Sequence, residues 1–176
     1  MLLVIAVSPA LGADFSSEQV REILAAATSD KPPDLSGRSL ENLDLSNFAF
    51  KRANLSRANL FGAKLNSADF SGANLSGAKL DLAWIMRANF TSADLSNASL
   101  LGLVVSSGVE VSVAEAPIFK AANFSGAHII ARLSRFDLSG EFRGCKDGGR
   151  YEKSIHGADE DRPVRREFVG RQFFRR

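Results

Sequence analysis

Residues 53–77 read ANLSR ANLFG AKLNS ADFSG ANLSG, five consecutive units of five residues each. The same period extends from Pro33 to Gly102, where the chain divides into fourteen pentads without a gap. The third residue of every pentad is large and apolar, and the first is alanine in ten consecutive pentads, from Ala53 to Ala98. This period matches neither an α-helix nor a simple strand. A strict repeat indicates stacked units, each of which buries its apolar side against the next.

The large third residues predict how the units stack. Phe50, Phe70 and Phe90 follow one another at intervals of twenty residues, so four pentads per turn would place them in one column. The first-position alanine must also face inward, because only a small side chain fits beside the large one. A four-sided coil with a strand-like spacing of about 4.8 Å between turns allows backbone hydrogen bonds from coil to coil. The predicted structural core contains Phe50, Leu55, Leu60, Leu65, Phe70, Leu75, Leu80, Ile85, Phe90, Leu95 and Leu100.

Units such as Ala53–Arg57 and Ala68–Gly72 resemble the A-[DN]-[LF]-x-x unit of the pentapeptide-repeat family. The resemblance covers residues 33–102 and returns over residues 117–140. It implies an all-β solenoid, a right-handed quadrilateral β-helix with a short N-terminal capping helix. It implies little about function, because unrelated roles share one scaffold.

The first thirteen residues resemble the end of a secretory signal peptide. An apolar run, Leu2–Val7, precedes Pro9 and small residues, and a signal peptidase would cut after Ala13. The run is too short to span a bilayer, and it lacks the usual preceding basic residue, so Met1 would lie inside a longer signal. We expect residues 1–13 to be a signal remnant and the mature protein to be extracytoplasmic. The alternative is a buried apolar strand in a cytoplasmic protein.

Residues 14–32 are predicted to form a capping helix and a linker. Ser16 and Gln19 have the spacing of a capping box, which satisfies free N–H groups of a first helical turn. Lys31-Pro32-Pro33 ends the helix. An amphipathic helix here would cover the open end of the column, as solenoids require. Its apolar stripe contains Val20, Ile23, Leu24 and Ala27.

The repeat breaks after Gly102 and resumes at Pro117. Phe119 follows Leu100 by 19 residues, one short of a full coil, so we expect residues 103–116 to replace a coil imperfectly. One interpretation is an irregular coil whose valines fill the column. The other is a recognition loop that projects from a rigid rod.

Several large side chains occupy positions that the repeat predicts to face outward. Lys64 and Trp84 are twenty residues apart, hence in neighbouring coils, and near enough for a cation–π contact. Exposed tryptophan and methionine are enriched at protein contact surfaces, but single exposed apolar side chains are also ordinary, so both interpretations stay open. The candidate interaction surface contains Phe61, Lys64, Leu82, Trp84, Met86 and Leu101.

Signals for catalysis are absent from the sequence. His128 takes an outward position of a regular pentad, and Cys145 has no histidine at a nucleophile or metal spacing. Residues 144–149 lack the pattern of a phosphate-binding loop. We therefore expect no catalytic, metal-binding or cofactor-binding residues, no cofactor, and no enzymatic activity.

Residues 141–176 differ from the rest of the chain. They carry 10 Lys and Arg against 7 Asp and Glu, whereas residues 1–140 carry 12 against 13. One interpretation is a disordered basic tail. The other is a frameshift near Gly144: codons for residues 165–176, with suitable synonymous third bases, encode VANLSGANFSG when read from the second base. That shifted reading contains two regular pentads.

The 176 residues fit one domain, and the formal net charge of +2 does not indicate nucleic-acid binding. The sequence predicts a non-enzymatic, exported rod that acts as a rigid scaffold or protein-interaction module. The alternative is a cytosolic DNA mimic that protects a type II topoisomerase, as some members of the family do. Mimicry needs a strongly acidic surface, yet residues 33–102 carry seven Lys and Arg against six Asp and Glu. We expect a protein partner and no direct contact with nucleic acid, and the oligomeric state stays open.

Overall fold

A computed structural model of the chain describes residues 12–28, 30–105, 114–130 and 146–147. It contains one helix, α1 (Ser17–Ala25), and three short strands within these residues. The bounds of the strands are β1 Ser99–Leu101, β2 His128–Ile130 and β3 Lys146–Asp147. They pair in parallel in the order β1-β2-β3, with Ser99 opposite His128 and His128 opposite Lys146.

The repeat region winds into coils of twenty residues. Parallel bridges connect the second residue of each pentad with the residue twenty positions later, as in Asp34 with Asn54 and Asn54 with Asn74. Each side of a coil is bonded to both neighbours: the Asn54 N–H donates to the Pro33 carbonyl below (2.9 Å), and the Leu55 N–H donates to the Asn74 carbonyl above (2.7 Å). These contacts confirm a solenoid with four pentads per coil.

The four sides are named by the second residues of their pentads. Side A contains Asp34, Asn54, Asn74, Asp94 and Asn123; side B contains Ser39, Asn59, Lys79, Ser99 and His128; side C contains Asp44, Lys64, Trp84 and Val104; side D contains Ala49, Asp69, Asn89 and Ile118.

The interior is a narrow apolar column. All fourteen third-position residues between Leu35 and Leu100 are at most 2% exposed, and the ten alanines from Ala53 to Ala98 are at most 1% exposed. The rings of Phe50 and Phe70 stack with centroids 4.8 Å apart, and those of Phe70 and Phe90 stack at 5.0 Å. The residues of the predicted core are therefore buried, and the phenylalanines form one column.

The corners of the coil are built by the fifth residue of each pentad. Sixteen fifth-position residues have φ between 56° and 70°, and only six of them are glycine. The N–H of the next first residue donates to the third-position carbonyl, as Ala53 does to Phe50 (3.0 Å). A four-residue turn with positive φ at its third residue is the pattern of a type II turn. The pentad period therefore arises from one extended side and one β-turn.

The second position favours Asn and Asp because their side chains brace these turns. The Asn54 Oδ1 accepts from the Ser56 N–H (3.2 Å), and the Asn54 Nδ2 donates to the Asp34 Oδ1 one coil below (3.0 Å). The same Asx turn occurs at Asp69, whose Oδ1 accepts from the Ser71 N–H at 2.9 Å.

Helix α1 packs against the first coil. Ser16 caps it, and both hydrogen bonds of the predicted capping box with Gln19 are present. The helix ends at Ala25, so Ala27 lies beyond it, contrary to the predicted stripe. Val20 is fully buried, and the Arg21 guanidinium lies 5.0 Å from the Phe48 ring. Because the helix covers this end, the first coil holds large first-position residues, Leu43 and Phe48, where the second and third coils hold alanine.

Asp14 completes the exposed edge of the first coil beside the helix. Its N–H donates to the Ser39 carbonyl (2.7 Å), and its Oδ2 accepts from the Ser39 N–H (2.8 Å). In later coils the second-position N–H donates to a carbonyl of the coil below, as Asn59 does to Arg38 (2.9 Å). The Asp14 carboxylate therefore takes the place of a carbonyl that the first coil lacks.

The interruption differs from the prediction that residues 103–116 replace a coil imperfectly. Trp84 pairs with Val104 at the regular interval of 20, but Asn89 pairs with Ile118 at an interval of 29, nine more. The Arg87 N–H donates to the Glu115 carbonyl (2.8 Å), which makes Glu115 a fourth-position residue. A single pentad, Leu103-Val104-Val105-Glu115-Ala116, is therefore split by residues 106–114. The coil is complete, and the insertion lies in one of its turns.

The predicted signal remnant lies almost entirely outside the described residues, of which Gly12 is the first. The predicted tail over residues 141–176 lies outside them too, except for Lys146–Asp147 in β3. The pairing of β3 with β2 carries the coil-to-coil ladder into the first residues of that tail. Where the chain is described, no helix combines the length and apolar character needed to cross a membrane.

Candidate functional site

The six residues of the candidate interaction surface lie on two neighbouring sides of the rod and on the corner between them. Phe61 and Leu101 take fourth positions on side B, and Leu82 takes the corner, with φ of 59°. The other three, Lys64, Trp84 and Met86, lie on side C. Val104 extends side C above Trp84. We call these seven residues the Trp84 surface.

The backbone of Trp84, at the centre of this surface, is hydrogen-bonded to the coil below. Its N–H donates to the Ala63 carbonyl (2.9 Å), and its carbonyl accepts from the Leu65 N–H (2.7 Å). The side chains of Trp84 and Leu82 are 41% and 49% exposed, as the outward positions predict. Phe61, Met86 and Leu101 are half-buried rather than fully outward.

The predicted cation–π contact between Lys64 and Trp84 is wrong. The two residues are paired in adjacent coils, but the Lys64 ammonium lies 3.9 Å from the Asp44 carboxylate, one coil further down. A carboxylate at the same position of the lower coil attracts the ammonium away from the ring. The contact of this kind at the surface is instead Lys79 over the Phe61 ring, with 5.0 Å from Nζ to the centroid.

The Trp84 surface becomes apolar along the rod. In the first coil the corresponding positions hold Glu41, Asn42, Asp44 and Ser46. In the third coil they hold Asp81, Leu82, Trp84 and Met86. Because the backbone geometry is the same in both coils, this change is one of side-chain chemistry alone. The apolar part therefore adjoins the coil that carries the insertion.

Carboxylates near the surface already have hydrogen-bond partners. The Asp81 Oδ1 accepts from the Ser99 Oγ (2.6 Å) and from the Leu101 N–H (2.9 Å). Hydrogen bonding by the Ser46 side chain lowers the pKa of Asp44 below 3.8, with the Lys64 charge adding to this effect against the opposing influence of burial. Both carboxylates are therefore tied into the coil-to-coil ladder.

One exposed residue was missed by the sequence analysis. Ile118 is 45% exposed on side D, at a second position where Asp69 and Asn89 precede it. An isoleucine in a column of Asp and Asn is a signal that the repeat alignment could have identified. In the chain, Ile118 follows the insertion, whereas Trp84 precedes it.

The described residues contain no group of three His, Cys, Asp or Glu residues close enough to hold a metal ion. His128 is exposed on side B. A shallow cavity of about 210 Å³ beside α1 is lined by Leu24, Ala27, Thr28, Pro32, Pro33, Ala49, Lys51 and Arg52. These side chains include no acid and base pair.

The twenty-residue coil and its buried column define a β-solenoid repeat protein. Residues 34–66, 53–91 and 68–102 match the sequence model of pentapeptide repeats, with eight copies. Residues 34–102 are therefore a run of pentapeptide repeats. No curated protein matches the chain.

Solved structures similar to this chain include two pentapeptide-repeat proteins and a resistance protein. A pentapeptide repeat protein from the Arabidopsis thaliana thylakoid lumen is 25% identical, over 76% of this chain and 68% of that one, with a TM-score of 0.42. HetL from Nostoc sp. strain PCC 7120, involved in heterocyst differentiation regulation, is 18% identical over 64% and 73%, with a TM-score of 0.33. QnrB1, a plasmid-mediated fluoroquinolone resistance protein, is 17% identical over 69% and 71%, with a TM-score of 0.36.

Proposed function

We propose that this chain is a non-enzymatic rod that binds a protein partner through the Trp84 surface, as a rigid scaffold or interaction module. The observation that carries the proposal is the exposure of Trp84 (41%) and Leu82 (49%), at positions where the first coil holds the polar residues Asp44 and Asn42. Tryptophan and methionine are enriched at protein contact surfaces. A rigid backbone lowers the entropy that is lost when such side chains bind.

The same proposal takes the rod to be a right-handed quadrilateral β-helix in an extracytoplasmic protein. The cap geometry is compatible with cleavage after Ala13. A new amino terminus at Asp14 would still donate to the Ser39 carbonyl, and the Asp14 carboxylate would still accept from the Ser39 N–H. Removal of the preceding residues would therefore keep both hydrogen bonds that complete the first coil.

A DNA mimic that protects a topoisomerase is the weaker alternative. Mimicry requires a continuous run of negative charge along the rod. On side C, Asp44 is followed by Lys64, Trp84 and Val104. On side B, Ser39 is followed by Asn59 and Lys79. Neither column carries the repeated carboxylates that would imitate a row of phosphates.

Site-specific photocrosslinking tests the proposal. A photoreactive phenylalanine analogue would replace one second-position residue on each side of the third coil: Asn74, Lys79, Trp84 or Asn89. In cells of the source organism we expect one discrete protein adduct from the Trp84 position and none from Asn74 on the opposite side. Failure of all four positions to give a protein adduct would contradict a protein-binding function. Recovery of the chain in the cytosol with Met1 intact would contradict export.

A further inference from the structure

We propose that the Trp84 surface binds an acidic segment of its partner that also carries large apolar side chains. This inference rests on the proposed protein-binding function and adds the chemistry of the partner. The surface has an apolar centre, Leu82, Trp84 and Val104. Its own Lys64 and two adjoining cations outside the seven residues, Lys79 and Arg87, form a rim around this centre.

The apolar centre is continuous across two coils. Trp84 is bridged directly to Val104 above it, and the Leu82 N–H donates to the Leu101 carbonyl at 2.8 Å. The Leu82 side chain lies against Gly102, where an added Cβ would meet its Cδ2 at 2.9 Å. Glycine here leaves the Leu82 side chain room at the corner. A partner side chain would therefore meet Leu82 and Trp84 together, two residues apart on one edge of the rod.

The cations surround this centre on three sides. Lys64 is paired with Trp84 from the coil below, and 54% of its side chain is exposed. Arg87 occupies the next corner of the same pentad as Trp84, and it forms no ion pair among the described residues. Lys79 lies on side B, over the Phe61 ring. Positive charge around an apolar centre complements negative charge on the partner, which steers association and selects among partners.

The carboxylates beside the surface are engaged within the coil. Asp81 accepts two hydrogen bonds from Ser99 and Leu101, and Glu115 also has a contact within the chain. Asp44 lies 3.9 Å from Lys64 and two coils away from the exposed ring. Apart from the Lys64–Asp44 pair, two cations and two carboxylates lie near Trp84. The carboxylates Asp81 and Glu115 have partners within the chain, whereas Lys79 and Arg87 form no ion pair among the described residues and can meet carboxylates of a partner.

An anionic membrane would also attract this rim, but it suits the centre less well. Interfacial binding strengthens with the apolar area that enters the headgroup region. Among the described residues, Leu82 and Trp84 are the only exposed large apolar side chains on this edge. The apolar side chains of a partner segment can pack against these two residues from several directions, whereas a flat bilayer cannot.

Selection from a random-peptide display library on the immobilised full chain tests the proposal. We expect the enriched peptides to contain Asp or Glu next to Trp, Phe or Leu. Each enriched peptide would then be synthesised and its Kd measured by fluorescence anisotropy. Trp84→Ala should raise the Kd about tenfold or more, as for a central contact residue. Lys64→Glu should raise it about threefold to tenfold and flatten its dependence on salt.

Two matched variants control these measurements. Arg57→Glu reverses an exposed cation of the same coil as Lys64, but at the corner between sides A and B, and should leave the Kd unchanged. Ile118→Ala removes an exposed apolar side chain on side D and should also leave it unchanged. Thermal melts of all variants would identify any loss of folding, and Lys64→Glu alters a mostly exposed residue.

Three results would overturn the proposal. The first is enrichment of peptides without carboxylates, or no enrichment at all. The second is peptide binding that survives both Trp84→Ala and Lys64→Glu. The third is binding to phosphatidylglycerol vesicles that Trp84→Ala abolishes, which would assign the surface to a membrane. If crosslinked partners come from another side of the rod, this inference fails while the protein-binding function stands.

Discussion

Phe119 stacks on Phe90 with ring centroids 5.0 Å apart, although 29 residues separate them in the chain, whereas Phe90 and Phe70 stack at the same distance across 20. Each coil is positioned by hydrogen bonds to its neighbour, as the Phe90 N–H donates to the Ile118 carbonyl (2.7 Å). The nine extra residues in one turn therefore do not disturb the stacking of the phenylalanine column.

Removal of residues 106–114 should therefore leave a stable rod. Val105 would then join Glu115 and restore a regular pentad, and Ala116 would take a fifth position, where φ is positive. We combine the deletion with Ala116→Gly, because glycine adopts this conformation without strain. The free energy of unfolding should stay within about 1 kcal/mol of the parent value, since loop length has a small entropic effect. Denaturant melts measure this free energy.

Removal of residues 66–74, also nine residues, is the control. It shifts the register of the repeat and should abolish folding. Equal loss of stability in both variants would contradict the assignment of residues 106–114 as an insertion within one pentad.

The phenylalanine column should respond strongly to truncation. Phe70→Ala opens a cavity between Phe50 and Phe90 and should reduce the free energy of unfolding by roughly 3–5 kcal/mol. Ala68→Leu should overpack the same layer and cost about 1–3 kcal/mol. Ser71→Lys, at an outward position, should stay within about 0.5 kcal/mol. Urea melts of the three variants provide the comparison, and similar midpoints for Phe70→Ala and Ser71→Lys would show that the third position does not face a common core.

The corner turns predict a difference between two glycines with nearly equal backbone angles. Gly37 and Gly62 have φ of 65° and 63°. An added Cβ at Gly37 meets nothing within 4 Å, but at Gly62 it would clash with the Asn42 Oδ1. Gly37→Ala should cost only the positive-φ penalty, about 1 kcal/mol. Gly62→Ala should cost more, and Asn42→Ala should relieve the excess in the double variant. Additive effects in that thermodynamic cycle would refute the predicted clash.

Acid should destabilise the rod in a defined range. Hydrogen bonding by the Ser36 side chain lowers the pKa of Asp34 below 3.8. For Asp69, burial raises the pKa, but hydrogen bonds from Ser71 and the nearby Lys51 outweigh this and lower it below 3.8. A lowered folded-state pKa contributes stability that is present above the unfolded-state pKa and lost as pH falls through the folded-state value. The free energy of unfolding should therefore hold steady above about pH 5 and fall below about pH 4.

Asp69→Asn tests the origin of this acid response. Asparagine keeps an Oδ1 that can accept from the Ser71 N–H, but it cannot titrate. The variant should lose less stability than the parent between neutral and acid pH, as followed by urea melts at each pH. A parent protein that gains stability below pH 4 would contradict the assigned direction.

Ser16, which caps α1, should stabilise the first coil more than the later coils. Ser16→Ala removes the acceptor for the Gln19 N–H (3.3 Å) and should cost about 1 kcal/mol. Hydrogen exchange should quicken most at the amides of Leu40 and Leu45, which lie in the first coil. Ser17→Ala, the neighbouring residue, is the control. Equally accelerated hydrogen exchange at Leu80 in the third coil would show that Ser16 does not stabilise the first coil locally.

Sequence periodicity predicted the buried column because size is strict at the third and first positions, as Phe70 and Ala68 illustrate. It did not predict the corner conformation, because positive φ is shared by residues as different as Gly72, Leu82 and Arg87. The residue types at the fifth position therefore do not indicate its backbone conformation. The cation–π contact of Lys64 was predicted wrongly because the repeat places Asp44 and Trp84 at equal distance along the chain, on opposite sides of Lys64. Only side-chain geometry distinguishes the two neighbours.

The insertion shows a related limit. A count from Leu100 to Phe119 suggests a defective coil, but the pairing of Asn89 with Ile118 shows a complete one. Counting from the last regular residue assumes that the break comes at a pentad boundary. Here it comes between Val105 and Glu115, inside a pentad, so the spacing of the repeat does not show where the insertion begins.

The ladder of bridges twenty residues apart also has a consequence for synthesis of the chain. Asp34 meets Asn54, and Asn54 meets Asn74, at the same separation. A coil can therefore close as soon as the next twenty residues have left the ribosome or a translocation channel. The entropy of closing each coil does not grow with the number of coils already formed. With α1 and Asp14 made first, the rod has a template at its N-terminal end before most of its repeats exist.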